Sequence, residues 1–240
     1  MTDALLETRR LSKSFGGVHA VNGVDFRLCR GELRCLIGPN GAGKSTFFKL
    51  LTGQLQPSGG TILFEGAEVT NRPIHQIGRL GIGIKNQTPD VLDGVTLRES
   101  LWLAARLTHA PAQALRLVEE VIERLSLAAL AADLVGALSH GQRQLVEIGM
   151  VMAREPKLIL LDEPSAGMSV EERERIATLL KELSQTATLV VVEHDMQFIK
   201  QIADLVTVFH QGRVLMEKSI DAVLRDPLVR DVYLGRQAVH

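Results

Sequence analysis

The run from Gly38 to Ser45 reads Gly-Pro-Asn-Gly-Ala-Gly-Lys-Ser and could bind phosphate. It matches the pattern G-x-x-x-x-G-K-[ST], in which glycines let backbone N–H groups point at phosphate oxygens. We expect Lys44 to reach the β- and γ-phosphates and the Ser45 hydroxyl to bind Mg²⁺. An apolar run at 33–37 and an amphipathic run from Thr46 predict a strand before the loop and a helix after it. The pattern predicts a nucleoside triphosphate site, against the alternative of a glycine-rich turn that binds nothing.

Two carboxylates, Asp162 and Glu163, follow the apolar run at 158–161. Ligands of open α/β folds bind at the carboxyl ends of the strands, where these side chains would lie. Asp162 is expected to hold Mg²⁺ through water, and Glu163 to orient or deprotonate an attacking water. The alternative is a strand that simply ends before a turn at Pro164. Beside a phosphate loop, the pair is interpreted as a Walker B element.

A third motif, Leu138-Ser139-His140-Gly141-Gln142, precedes an amphipathic helix. A serine and a glycine backbone at a helix N-terminus form an anion site that could grip a γ-phosphate. An ordinary serine N-cap would have the same local sequence. Taken alone, the segment leaves both interpretations open.

The surrounding sequence predicts the elements that would position these motifs. Over the first ~70 residues, strand signals separated by turns predict an antiparallel layer. From Thr96 the pattern is helical, with a second helix from Pro111 to about Leu127 and a third from Ser139 to Arg154. Strands at 158–161 and 188–192 with a helix between them predict a parallel sheet.

These elements predict an α/β fold within a single domain over residues 1–240. We expect a P-loop NTPase (RecA-like) core with a parallel sheet, an N-terminal antiparallel β layer and a helical subdomain inserted at approximately 96–150. A hairpin near Gln211-Gly212 and a short helix begun by Asp226-Pro227 would close the chain.

Charge and hydropathy exclude several classes of partner. Lys plus Arg number 27 against 28 Asp plus Glu, so there is no basic footprint for nucleic acid. The longest apolar stretches fall far below the ~18 residues that span a bilayer. The first ten residues lack the apolar region of a signal peptide, which predicts a cytoplasmic protein. Cys29 and Cys35 are interpreted as reduced packing residues.

Together these motifs resemble the ATP-binding subunits of ABC transporters over nearly the whole chain, with His140 in place of the first glycine of the family's L-S-G-G-Q signature. The resemblance implies that Phe15 stacks on adenine, although a core phenylalanine fits the local sequence equally well. The ATP-binding residues it implies are Phe15, Gly38, Pro39, Asn40, Gly41, Ala42, Gly43, Lys44, Ser45 and Thr46.

The resemblance also assigns chemistry beyond the phosphate loop. It implies catalytic roles for Glu163, His194 and Gln87, and metal ligation by Ser45, Gln87 and Asp162. The signature residues that it implies act in trans, on the nucleotide of a partner copy, are Ser139, His140, Gly141 and Gln142. Asn86 stands where the family usually has an aromatic residue, and Gly167-Met168 replaces the usual Leu-Asp.

The family mechanism predicts the partners. Two ATPase subunits, identical or paralogous, would close head to tail on two molecules of Mg·ATP and drive transmembrane permease subunits between inward and outward states. An extracytoplasmic substrate-binding protein would take part indirectly, and nucleic acid would not. The subunit would lie in the cytoplasm, peripheral on the inner face of the plasma membrane.

Within the family, four segments resemble importers of branched-chain amino acids and amides, and His140 and Met168 favour the urea-type member. The segments are 15–21, 166–168, 193–196 and 232–235. The alternatives are an ABC ATPase that powers another transport or export process and a catalytically silent ATP-binding dimerisation module. A repair or translation ATPase would usually carry a long coiled coil or a second cassette, and a P-loop GTPase would carry an Asn-Lys-x-Asp element. The sequence contains none of these features, which argues against both classes.

Overall fold

The computed structural model describes residues 4–87 and 91–234, and Gly235 of the last segment above lies outside them. Ten strands and nine α-helices form within these residues. The strands are β1 (Ala4–Phe15), β2 (Val18–Cys29), β3 (Leu33–Ile37), β4 (Gly59–Phe64), β5 (Ala67–Glu68), β6 (Ile82–Lys85), β7 (Leu158–Asp162), β8 (Thr188–Val192), β9 (Leu205–His210) and β10 (Arg213–Ser219). The helices are α1 (Lys44–Leu51), α2 (Ile74–Arg79), α3 (Leu97–Arg106), α4 (Pro111–Arg124), α5 (His140–Met152), α6 (Val170–Ser184), α7 (Met196–Ile202), α8 (Ile220–Arg225) and α9 (Pro227–Leu234).

Two sheets organise the fold. The larger has the order β10-β9-β3-β8-β7-β6 and is parallel except for β10, which returns antiparallel to β9. The smaller is antiparallel, with the order β2-β1-β4-β5. The predicted α/β fold with a parallel sheet and an antiparallel β layer is confirmed.

Alternation along the central strands divides the core between the two faces of the larger sheet. On β3, Cys35 and Ile37 join the apolar cluster on the helical side, whereas Leu36 joins the cluster beneath the smaller sheet. Leu158 and Ile159 on β7 divide in the same way. Both faces of these strands are covered, which explains why their sequences are mostly apolar, with Arg34 and Asp162 as the charged exceptions.

The helices α3, α4 and α5 share one apolar cluster with the helical side of the sheet. They approach one another closely at Gly149 of α5, where a Cβ would lie 2.8 Å from side-chain atoms of Leu101 and Leu125. The helix predicted to reach about Leu127 ends at Arg124, because the chain leaves helical geometry at Ser126 with a φ of 54°. The helix predicted over Ser139–Arg154 spans His140–Met152, with Ser139 as its N-cap.

Within the described ranges, no helix combines the length and the apolar character needed to cross a bilayer.

Candidate functional site

The loop between β3 and α1 is built around glycines that no other residue could replace. Gly38 has a φ of 151°, and a Cβ there would lie 2.3 Å from the carbonyl oxygen of Phe209 on β9. Gly43 has a φ of 104°, and its Cβ would lie 2.3 Å from the carbonyl oxygen of Ala20. The loop therefore curls against neighbouring backbone and delivers the N-terminus of α1 to its centre, the arrangement that binds phosphate.

Lys44 lies across this loop. Its Nζ donates hydrogen bonds to the carbonyl oxygens of Gly38 at 2.6 Å and Pro39 at 3.2 Å. Burial lowers the pKa of Lys44, and the charges of Glu163 and Asp162 oppose that shift. The ammonium is thus held between the loop and the two carboxylates at the end of β7, where it can neutralise an incoming phosphate. Ser45 is exposed in the first turn of α1.

Asp162 is the last residue of β7, and only 7% of it is exposed. Burial raises its pKa to about 6, and the charge of Glu163 adds to the effect. A buried carboxylate beside a second one favours a bound cation, because a cation removes the cost of holding both charges.

Glu163 occupies the turn that follows β7, with a φ of 46°, an unfavourable conformation for a residue with a side chain. Its Oε2 accepts a hydrogen bond of 2.7 Å from Nε2 of Gln87, and its Oε1 lies 3.5 Å from Nδ1 of His194. Gln87 and His194, which follow two other strands, therefore both lie against the carboxylate of Glu163.

The donors available for a metal are oxygens. Asp162 supplies a carboxylate and Ser45 a hydroxyl, while Gln87 keeps its carbonyl oxygen because its amide nitrogen binds Glu163. Mg²⁺ prefers such hard ligands and usually takes only one or two carboxylates together with substrate phosphates. The residues present therefore fit Mg²⁺. No cluster of three or more His, Cys, Asp or Glu that could hold a metal occurs in residues 4–87 and 91–234.

The signature motif forms the N-terminus of α5. Ser139 Oγ accepts a hydrogen bond from the Gln142 N–H at 3.2 Å, and Gln142 Oε1 accepts one from the Ser139 N–H at 2.8 Å, forming a capping box. Among the described residues, no hydrogen bond joins positions 139–142 to positions 38–45. The capping box thus forms without any hydrogen bond, among the described residues, to the phosphate loop of its own chain.

Two departures from the family pattern contact one another. Gly167 has a φ of 71°, and a Cβ there would lie 2.8 Å from Cδ2 of the His140 imidazole. The ring also lies 3.3 Å from Nε2 of Gln144 through its own Nε2. Gly141 lies close to α6, since a Cβ there would lie 2.3 Å from Oε1 of Glu172. The signature is thus packed against α6 and the loop that precedes it.

Phe15 ends β1 at the hairpin to β2 and is 47% exposed. Lys13 Nζ lies 5.2 Å from its ring centroid. The alternative of a core phenylalanine is wrong, since the ring faces solvent and can accept a stacked base. Asn86, at the other departure from the family pattern, accepts a hydrogen bond of 2.7 Å from Gln54 through its Oδ1.

Sequence reasoning missed two buried charged residues near the site. Lys85, the last residue of β6, has a fully buried side chain, and its Nζ lies 3.6 Å from Oε2 of Glu147 on α5. Glu193, directly after β8, is 1% exposed. In the sequence, each of these residues is only a charged residue inside or at the end of an apolar run. Strand periodicity places such a residue at the end of a strand and does not indicate that it is buried.

Comparisons with known proteins identify chains of similar sequence. A family model for the ABC transporter matches residues 21–166. The chain is 33% identical over 253 residues to the high-affinity branched-chain amino acid transport ATP-binding protein BraF of Pseudomonas aeruginosa, covering 98% of this chain and 99% of that protein. It is 36% identical over 237 residues to the ribose import ATP-binding protein RbsA 1 of Rubrobacter xylanophilus, covering 97% of this chain and 47% of that protein.

Solved structures show the same similarity. The ADP conformation of an ATP-binding cassette of an ABC transporter aligns with a TM-score of 0.86 and 31% identity, covering 97% of this chain and 99% of that chain. A nucleotide-free cassette of an ABC transporter aligns with a TM-score of 0.85 at the same identity, covering 96% of this chain and 98% of that one.

Proposed function

The chain belongs to the ATP-binding subunits of ABC transporters, and we propose that it is the motor of a system that imports branched-chain amino acids or related small amides. As a member of this family it binds nucleotide and hydrolyses ATP. The observation that carries the proposal is the meeting of Gln87, Glu163 and His194 beside Asp162, at the sheet edge that also carries the phosphate loop. ATP-driven transport needs such a hydrolytic centre.

In the proposed reaction, Glu163 accepts a proton from water while the water oxygen bonds to the γ-phosphorus and the bond to the ADP oxygen breaks. Gln87 holds the Glu163 carboxylate through its 2.7 Å hydrogen bond. His194 donates to the γ-phosphate, and Lys44 offsets the charge of the β- and γ-phosphates. Mg²⁺, held by Ser45, Asp162 and Gln87, would neutralise phosphate oxygens.

The second half of each site comes from a partner subunit in this proposal. Ser139 and Gly141 at the N-terminus of α5 would reach the γ-phosphate bound to the partner's phosphate loop, with His140 and Gln142 shaping the motif. That role is supported by the exposure of Ser139 at the helix N-terminus and by the absence, among the described residues, of hydrogen bonds from the motif to its own phosphate loop. The partner would be a second copy or a paralogue.

Transmembrane permease subunits would hold the pair on the inner face of the plasma membrane, and an extracytoplasmic binding protein would deliver the cargo. The cargo itself rests on resemblance: the relatives named above transport branched-chain amino acids and ribose by name. The narrower urea-type assignment rests on His140 and Met168. His140 is exposed and lies against Gly167 of the same subunit, and this contact favours no particular cargo.

Reconstitution tests the proposal. The purified chain is combined in liposomes with the permease subunits encoded beside its gene, and ATP-dependent uptake of leucine, urea and ribose is measured with phosphate release. Leucine uptake that depends on Glu163 is expected. Uptake of urea alone would move the chain to the urea-type member, and uptake of ribose or export would support another transport process. A wild-type chain that binds ATP without releasing phosphate would be a dimerisation module.

A further inference from the structure

A buried carboxylate joins the two loops that carry Glu163 and His194. Oε1 of Glu193 accepts hydrogen bonds from the hydroxyl of Ser165 at 2.6 Å and from its backbone N–H at 3.1 Å. Oε2 accepts the backbone N–H groups of His194 at 3.0 Å and Asp195 at 3.5 Å. Each oxygen therefore serves a different loop.

The donors to this carboxylate lie in the same two loops as the side chains proposed to act in hydrolysis. Ser165 lies two residues after Glu163, in the loop that follows β7, while His194 lies in the loop that follows β8. The reacting side chains of the two loops stand 3.5 Å apart, from Oε1 of Glu163 to Nδ1 of His194. Any relative shift of the loops would change that separation.

The chemistry of the contact requires a carboxylate. All four partners donate, and three of them are backbone N–H groups that cannot turn to accept. An amide in place of the carboxylate would set its own N–H₂ group against a backbone N–H of one loop. Glu193 is 1% exposed, so water could not repair that loss. Ser165 is also buried, at 6% exposed.

We propose that Glu193 is a positioning residue for ATP hydrolysis, which sets the distance between Glu163 and His194 by holding their loops with one carboxylate. The inference rests on the roles proposed above for those two residues. It concerns the hydrolytic step and predicts no role in the first binding of ATP, because the phosphate loop is built from β3 and α1.

The first test is Glu193→Gln, which preserves size and removes one acceptor. Turnover should fall about ten-fold or more, as is typical when a residue that orients a catalytic group is lost. The affinity of the monomer for ATP should stay within about two-fold of wild type, so the effect appears in kcat rather than in KM. Turnover is compared at equal folded fraction, determined by thermal unfolding.

A second variant covers the case in which Glu193→Gln folds poorly. Ser165→Ala removes only the 2.6 Å hydrogen bond from one loop and should lower turnover several-fold, on the order of a single lost orienting contact. Ser165→Thr retains the hydroxyl and should restore turnover. Adding Ser165→Ala to Glu193→Gln should cost less than the two separate effects combined, because both act through one contact.

Thr8→Val is the matched control. It removes a buried hydroxyl that donates to the carbonyl oxygen of Val24 at 2.9 Å, in the smaller sheet. It should lower stability without lowering kcat. If Glu193→Gln and Ser165→Ala matched this control in kcat, the positioning role would be overturned.

Glu163→Gln, measured in parallel, distinguishes a failure of the role proposed for Glu193 from a failure of the role proposed for Glu163. If it abolishes turnover while Glu193→Gln leaves turnover at the wild-type level, the role of Glu193 alone is wrong. If Glu163→Gln itself retains wild-type turnover, the proposed role of Glu163 is wrong, and the inference about Glu193 is overturned with it.

Discussion

Two regions of this chain carry motifs for the same nucleotide chemistry, and the fold treats them differently. Around Asp162 and Glu163, side chains project from the ends of buried strands and are tied to residues from other strands. The signature begins α5 at an exposed N-terminus, and its contacts lie within its own turn or against the region around α6. The strand edge holds a nearly complete site, whereas the helix N-terminus holds a contact surface. We therefore expect the first motif to act within one chain and the second to act on a ligand that is brought to it.

The largest expected effect lies at the strand edge. Glu163→Gln should lower turnover by on the order of 10³-fold or more, because the water loses its base, while ATP binding survives and a closed dimer accumulates. Phosphate release and size-exclusion chromatography with ATP measure the two outcomes. Glu171→Gln, an exposed change in the first turn of α6, is the control and should behave as wild type. Near-normal turnover in Glu163→Gln would assign the base to another residue.

Lys44→Ala should weaken ATP binding by roughly 100-fold, because the β- and γ-phosphates lose a charge-assisted contact. Lys49→Ala is closely matched, since it removes an exposed lysine from the last turn of the same helix and should change affinity little. Calorimetric titration of the monomer with Mg·ATP gives both values. Equal affinities in the two variants would remove Lys44 from the site.

Ser139→Arg tests the other region. It should leave the ATP affinity of the monomer within about two-fold of wild type and lower turnover by at least ten-fold, because the arginine fills the space that dimer closure needs. Thr96→Arg removes an equivalent capping box at the start of α3 and controls for the loss of the cap. If Ser139→Arg weakened monomer binding as severely as Lys44→Ala, the signature would act in cis and the comparison would fail.

A smaller effect is expected at the contact between His140 and Gly167. Gly167→Ala should lower turnover several-fold, because its Cβ meets the imidazole and because alanine at this positive φ costs about 1 kcal/mol. Adding His140→Ala should restore part of the turnover by relieving the steric conflict while the backbone strain remains. Monomer ATP affinity is measured alongside and should not change. Absence of any rescue would mean that the His140 imidazole does not restrict the conformation of the loop that contains Gly167.

The smallest effect concerns stability without Mg²⁺ and nucleotide. The folded protein holds the Asp162 proton more tightly than the unfolded chain does, because burial and then Glu163 raise its pKa to about 6. Its contribution to the free energy of unfolding is therefore lost as the pH rises through about 6. Asp162→Asn should be more stable than wild type by on the order of 1 kcal/mol at about pH 7.5, and the gain should shrink towards about pH 5. Chemical unfolding in chelator at both pH values measures this difference. A gain that is independent of pH would contradict it.

The sequence predicted those features of the structure that depend on short local patterns. The bounds of β3 and β8 follow from short apolar runs between turns, and the phosphate loop follows from glycine spacing. The contact of Gln87 with Glu163 could not be predicted, since it joins residues 76 positions apart through the order of the sheet. The exposure of Phe15 likewise depends on which face of the hairpin the larger sheet covers.

Contacts between segments far apart in the sequence were the least predictable. His140 and Gly167 were recognised only as separate departures from a family pattern, because no periodicity relates a helix start to a loop beyond the next strand. Glu193 ends an apolar run as many surface residues do, and only the packing of two loops around it makes it a buried acceptor.

Because Cys35 is buried, its rate of alkylation would report how often the strand before the phosphate loop opens. Cys35 is wholly buried in β3, and burial, followed by the charges of Glu193 and Asp204, raises the pKa of its thiol far above the usual range. Because alkylating reagents attack the thiolate, this cysteine reacts only when the strand opens, whereas Cys29 is half-buried and should react sooner. Nucleotide at about 100 times its Kd would make opening about 100-fold rarer. Mass spectrometry would then show two alkylation steps, the first at Cys29 and the second at Cys35. The delay between them would measure how strongly bound nucleotide suppresses the opening of β3.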